Sequence, residues 1–153
     1  MVGNRNTGSE QRCFARSWGT RPTVIYLDAS ALLTLMVQRS RYEELSAFIG
    51  GHPNVPMAIS TIGLTETVRN ATRYGQFPRL MAELELMCGE LNVTEEIRDL
   101  AAHLPGNIRT LDAIHIATAL TIAEYLTALV SYDQRMLDIA KEQGLPTASP
   151  GMN

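Results

Sequence analysis

The rhythm of apolar and polar residues changes repeatedly along this chain. Short unbroken apolar runs alternate with longer stretches in which apolar residues return every three or four positions. The first kind reads as a strand buried on both faces and the second as an amphipathic helix. Residues 23–27 (Thr23, Val24, Ile25, Tyr26, Leu27) make the first strand, closed by Asp28. Ser30 is placed to cap a helix through Leu32, Leu33, Leu35 and Met36. A further helix over 42–49 stops at Gly50-Gly51, and Pro53 and Pro56 mark a loop. Residues 57–60 form the second strand, and Ser60 or Thr61 caps a helix carrying Leu64, Glu66, Val68 and Ala71. After a break at Tyr74-Gly75 and Pro78, Leu80, Leu84 and Met87 define a helix closed by Gly89. A weak strand over 90–93 precedes a helix capped by Thr94 and ending at Pro105-Gly106.

The longest helical pattern is centred on Asp112-Ala113-Ile114-His115-Ile116-Ala117-Thr118-Ala119-Leu120. It runs from about 111 to 126, with Thr110 as its candidate N-cap. A strand over 129–131 follows. Asp133 then opens a helix through Met136, Leu137 and Ala140 that ends at Gly144, and 145–148 is an edge strand that tolerates Pro146. Strand and helix alternate throughout, which predicts an α/β fold: three α/β/α layers around a central, mostly parallel sheet. Ligands in such folds bind outside the carboxyl ends of the strands.

Residues 1–22 break the pattern. They are rich in Gly, Asn, Ser, Thr and Arg, lack periodicity, and carry a formal +3 against −6 for the remainder. No apolar stretch there resembles a signal peptide, so they read as a flexible N-terminal extension, with an RNA-touching basic arm as the alternative. Residues 23–149 then form one domain and 150–153 a C-terminal tail. No apolar run is long enough to cross a membrane. Cys13 and Cys88 give neither metal spacing nor a disulfide framework, which predicts a reducing, cytoplasmic setting. His52, His103 and His115 show no zinc pattern. Twelve of the 13 basic residues are arginine, a better fork for phosphate than lysine, although a GC-rich genome produces the same bias.

Four acids carry the candidate chemistry. Asp28 and Asp133 directly follow or lie near strand ends. Glu66 rides one turn into the helix after the second strand, and Asp112 sits in the first turn of the central helix. Each has an ordinary explanation: Asp28 and Asp133 suit N-caps, Asp112 suits a helix dipole, and a lone Glu66 suits a solvated face. Together they are predicted to meet at one sheet edge, where like charges repel unless a cation neutralises them. An all-oxygen donor set selects a hard ion, Mg²⁺ or Mn²⁺, equipment suited to phosphodiester hydrolysis. Arg39, Arg69, Arg73, Arg109 and Arg135 are candidates to hold a phosphodiester backbone, RNA by the resemblance described next, each otherwise a solvated charge. His115 is expected to pack or hydrogen-bond within the fold, because a metal-activated water needs no histidine base.

The segments Y-L-D-A-S-A-L, T-E-T-V-R-N, L-D-A-I-H-I-A-T-A-L and L-V-S-Y-D-Q-R-M-L-D-I-A occur in that order. Together they resemble the PIN domain, and within it the toxin ribonucleases of VapBC toxin–antitoxin pairs. The resemblance covers roughly residues 23–149. It implies that Asp28, Glu66, Asp112 and Asp133 form a catalytic site for Mg²⁺ or Mn²⁺, with Asp28 and Asp112 as direct ligands. It also implies that Ser30 and Thr110 are hydroxyls beside that site. By the same resemblance the chain is a toxin endoribonuclease leaving 5′-phosphate and 3′-hydroxyl ends. It would be silenced by a cognate antitoxin and form a homodimer, with no membrane association. The 22-residue extension departs from the family pattern.

Two rival readings remain open at this level. A small-phosphate-ester phosphatase of the haloacid dehalogenase type also follows its first strand with Asp, but it requires a second Asp where Ser30 stands. A non-catalytic PIN-like interaction module would use apolar faces such as Leu80, Leu84 and Met87 for a partner. No glycine-rich phosphate loop or dinucleotide fingerprint is present.

Overall fold

The computed structural model describes residues 23–152 of the chain, and the expected N-terminal extension, residues 1–22, lies outside them. Five parallel strands form one sheet: β1 (Val24–Leu27), β2 (Met57–Ser60), β3 (Cys88–Leu91), β4 (Leu126–Val130) and β5 (Thr147–Ala148), in the order β3-β2-β1-β4-β5. The helices are α1 (Ala29–Val37), α2 (Tyr42–Gly50), α3 (Thr61–Ala71), α4 (Leu80–Met87), α5 (Glu95–Ala102), α6 (Thr110–Thr121) and α7 (Gln134–Glu142).

β1 is buried at every position. Its alternation feeds both faces of the sheet. Val24 and Tyr26 join Ile116, Ala119, Leu129 and Met136 in one core, beneath α6 and α7. Ile25 and Leu27 join Leu32, Leu45, Leu64 and Leu84 in the other, beneath α1 to α4. The predicted three layers are therefore present. The chain first grows from β1 to β2 and β3, then crosses back to place β4 on the far side of β1. That reversal makes the carboxyl end of β1 a topological switch point, where doubly wound folds bind ligands.

Several local boundaries differ from those the sequence predicts. Asp28, not Ser30, caps α1, because the strand turns straight into the helix and leaves Asp28 extended at φ −78°, ψ 175°. Its carboxylate accepts from the Ala31 amide at 2.8 Å. Arg109 rather than Thr110 occupies the cap of α6 and makes no side-chain cap bond; Thr110 is already the first helical residue. The central helix ends at Thr121, and a short 3₁₀ turn over Ala123–Tyr125 leads into β4 at Leu126. β3 begins at Cys88, so Gly89 lies inside a strand instead of closing α4. The helix begun at Thr94 stops at Ala102, short of Pro105. The caps expected at Ser60, Thr94 and Asp133 accept from the amides of Gly63, Ile97 and Met136. At the other end, Tyr132 donates to the Pro150 carbonyl at 2.9 Å and Met152 packs against the α6–α7 core.

Candidate active site

Four elements deliver the four acids to one cleft of about 180 Å³ at the carboxyl edge of the sheet. Asp28, Glu66, Asp112 and Asp133 all line it, with Ser30, Arg39, Arg73, Arg109 and His115. Asp28 sits at the end of β1 and caps α1, which holds it at 4% exposure. Its Oδ1 accepts from Ser30 Oγ at 2.7 Å, and its Oδ2 accepts from Ser131 Oγ at 2.6 Å. Burial pushes its carboxyl above the ordinary range, and these hydrogen bonds to the charged form only partly offset that.

Ser131 was not singled out by the sequence, yet it ties two of the acids together. While donating to Asp28, it accepts from the Asp133 amide at 3.0 Å. A small hydroxyl just past an apolar strand and two residues before an acid was the signal available. Ser30 does parallel work, accepting from the Tyr132 amide at 3.0 Å while it donates to Asp28. Asp133 itself caps α7.

Asp112, in the first turn of α6, is partly buried. Burial first, then the neighbouring Asp133 carboxylate, raises its carboxyl above the ordinary range; Arg109 opposes the rise. Arg109 stands between the two acids, 3.8 Å from Asp112 and 3.8 Å from Asp133, with its side chain 77% exposed.

Glu66 is held from behind. His115 is 1% exposed, and its Nε2 lies 3.3 Å from Glu66 Oε2. Its Nδ1 lies 2.7 Å from Tyr26 Oη. A carboxylate only accepts, so in the neutral imidazole Nε2 carries the proton and Nδ1 accepts from the Tyr26 hydroxyl. Tyr26 Oη accepts in turn from the Ser60 amide at 3.3 Å. His115 is thus bonded within the fold, as the sequence suggests, but it also lines the cleft. A tyrosine in a strand buried on both faces needs a partner for its hydroxyl, and that was the overlooked sign of this chain.

The remaining predicted residues divide. Arg39 and Arg73 line the cleft, and so do Asn70 and Tyr74, which the sequence did not flag. Arg69 and Arg135 are exposed on α3 and α7 outside its lining, and Thr110 faces a separate groove between α5 and α6.

The donor set is carboxylate oxygen with no cysteine, which suits a hard cation. Among the described residues, no three His, Cys, Asp or Glu side chains are grouped tightly enough to hold an ion as they stand. The acids line a common cleft without clasping one point, an arrangement compatible with an ion that keeps several waters.

Comparison with known proteins identifies the family. The PIN domain family model matches residues 25–142. Ribonuclease VapC47 of Mycobacterium tuberculosis is 38% identical over 133 residues, covering 84% of this chain and 98% of that protein. The crystal structure of Mycobacterium tuberculosis VapC20, described as a Sarcin-Ricin loop cleaving toxin, superposes with a TM-score of 0.62 at 17% identity, over 82% of this chain and 99% of that one. The VapBC2 structure from Rickettsia felis, bound to a DNA fragment from their promoter, gives 0.61 at 12% identity, over 83% and 98%. A family model that takes in most of the chain, and a relative aligned over nearly its full length, place it: the chain belongs to the PIN domain family, among its VapC-like members.

Proposed function

We propose that this protein is the toxin of a type II toxin–antitoxin pair and a divalent-metal-dependent endoribonuclease. The observation that carries the reading is the convergence of Asp28, Glu66, Asp112 and Asp133 on one cleft. Asp28 and Asp112 would hold Mg²⁺ or Mn²⁺ directly, and Glu66 and Asp133 would hold it directly or through water. When bound, such an ion polarises a phosphodiester and activates water for in-line attack.

The chain's own residues prepare this. Ser30 and Ser131 each donate to one oxygen of Asp28, fixing the carboxylate. His115 donates to Glu66 and sets its direction. Arg109, 3.8 Å from both Asp112 and Asp133 and largely exposed, is placed to meet an RNA phosphate entering the cleft. The name of VapC47 supports RNA as substrate, and the VapBC2 complex supports an antitoxin partner. The same kinship supports a homodimer and a cytoplasmic location; among the described residues no helix is long and apolar enough to cross a membrane. The phosphatase alternative lacks its second Asp, since Ser30 stands there and is bonded to Asp28.

The test is cleavage of RNA in Mg²⁺, Mn²⁺ or EDTA by the native chain and by Asp112→Asn. Cutting is expected with either ion, none in EDTA, and a loss of at least about a hundredfold in the variant, on the scale of removing one preorganised electrostatic group. Undiminished cutting by Asp112→Asn rejects the site. RNA binding without cleavage at any metal concentration favours the non-catalytic module.

A further inference from the structure

A second pocket opens beside the acidic cleft, and its contents point to a ligand. It encloses about 610 Å³ and shares Ser30, Arg39 and Asp133 with the cleft, while Arg41 and Tyr132 form its far wall. We propose that it is a nucleotide subsite for single-stranded RNA, taking the nucleotide next to the scissile phosphate. This rests on the ribonuclease reading above.

Arg39 is fixed in advance. Its Nε donates to Thr34 Oγ1 at 2.8 Å, Nη2 to the Ser30 carbonyl at 3.0 Å and Nη1 to Tyr74 Oη at 3.0 Å. All three acceptors are neutral. Among the described residues, no carboxylate lies within ion-pair distance of Arg39 or Arg41. Two guanidinium groups held in no close ion pair, beside a cleft lined by four acids, are placed to bring a polyanion to a site that would otherwise repel it.

Arg41 adds a base platform. Its guanidinium lies over the Tyr132 ring, 5.4 Å from the centroid. Tyr132 is itself anchored through its hydroxyl to Pro150. Arg41 is exposed, and a guanidinium plane can carry an unpaired nucleobase. Its backbone sits in the left-handed region, φ 74°, at the cap of α2, and its side chain makes no cap bond there. A non-glycine residue held in that region is strained, and such strain persists where the surroundings demand it. The volume suits one nucleotide. Stacking on a guanidinium requires an unpaired base, which specifies single-stranded over duplex RNA.

The experiment measures binding of a short single-stranded RNA in EDTA by fluorescence anisotropy, so that chemistry plays no part. The proteins are the native chain, Arg41→Gly and Arg41→Lys; glycine accepts the left-handed backbone without strain. Arg41→Gly is expected to bind about tenfold more weakly, with the salt dependence lowered by about one counterion. Arg41→Lys should recover that salt slope but not the affinity, because an ammonium offers no stacking plane. The native protein should prefer the RNA over its abasic counterpart by about fivefold or more, and Arg41→Lys should lose that preference.

Native-like binding by Arg41→Gly, full recovery by Arg41→Lys, or indifference of the native protein to the missing bases would each overturn the subsite. An acidic peptide that binds the native chain but not Arg41→Gly, while RNA affinity stays equal, gives the pocket to a protein partner and also overturns it. Failure of cleavage in every metal, with Arg41-dependent RNA binding intact, removes the nuclease reading alone.

Discussion

Asp112 stands partly buried with Asp133 beside it, and both circumstances raise its carboxyl above the ordinary range. A carboxyl raised in the folded state favours folding in acid, and that advantage is lost as pH climbs from the ordinary carboxylate range through the raised value. In the absence of divalent ion, Asp112→Asn should therefore melt a few degrees higher than the native chain at neutral pH. The gain should shrink as pH falls and the native carboxyl becomes protonated. Adding Mg²⁺ should raise the melting temperature of the native protein and much less that of the variant, because an ion binding only the folded state stabilises it by mass action. A thermal scan across pH, with and without the ion, checks both; a variant less stable at neutral pH in EDTA contradicts the crowding argument. At this scale the sequence revealed which side chains carry charge. It did not reveal Ser131 or Tyr26, whose roles depend on partners 103 and 89 residues away.

The approach of α3 to α6 is decided at the element scale by a single glycine. A Cβ at Gly63 would lie 2.6 Å from Ile59 Cγ1 and 2.7 Å from His115 Cε1. Gly63 therefore lets α3 settle against the imidazole, and Glu66, one turn later, reaches His115 Nε2 from that position. Gly63→Ala should cost about 1–3 kcal/mol by overpacking, despite alanine's better helix propensity. It should also reduce cleavage by displacing Glu66, whereas an ordinary exposed glycine-to-alanine change in a helix stabilises. Denaturant unfolding together with cleavage assays separates the two outcomes. Element boundaries were legible where a cap announced them, as at Ser60, Thr94 and Asp133. They were illegible across Ile122–Val130, where the apolar spacing fits either a helix or a strand. There the need to return to the sheet edge ends α6 at Thr121 and starts β4 at Leu126.

Over the whole molecule, the two cores share their strands. β1 gives Val24 and Tyr26 to one side, Ile25 and Leu27 to the other, and β4 divides in the same way. Damage to either face should therefore weaken one cooperative unit. Leu45→Ala and Ile116→Ala, both at 0% exposure and on opposite faces, should each cost about 2–5 kcal/mol. Each should keep a single transition, coincident by near- and far-UV circular dichroism. Two separated transitions in either variant would show that the layers unfold independently.

The sequence by itself determined the alternation of buried strands with amphipathic helices, and hence the three layers and the edge at which the acids collect. Those follow from local periodicity, because a side chain's burial repeats with the geometry of its own element. The tertiary structure alone decided that Ser131 bridges Asp28 to Asp133, that Tyr26 and His115 hold Glu66, and that Arg41 lies over the Tyr132 ring beside the cleft. The pairs that close these links lie far apart in the chain: Asp28 and Ser131 by 103 positions, Tyr26 and His115 by 89, Glu66 and His115 by 49. No local spacing rule reaches across that separation; only the crossing of β4 to the far side of β1 brings them together.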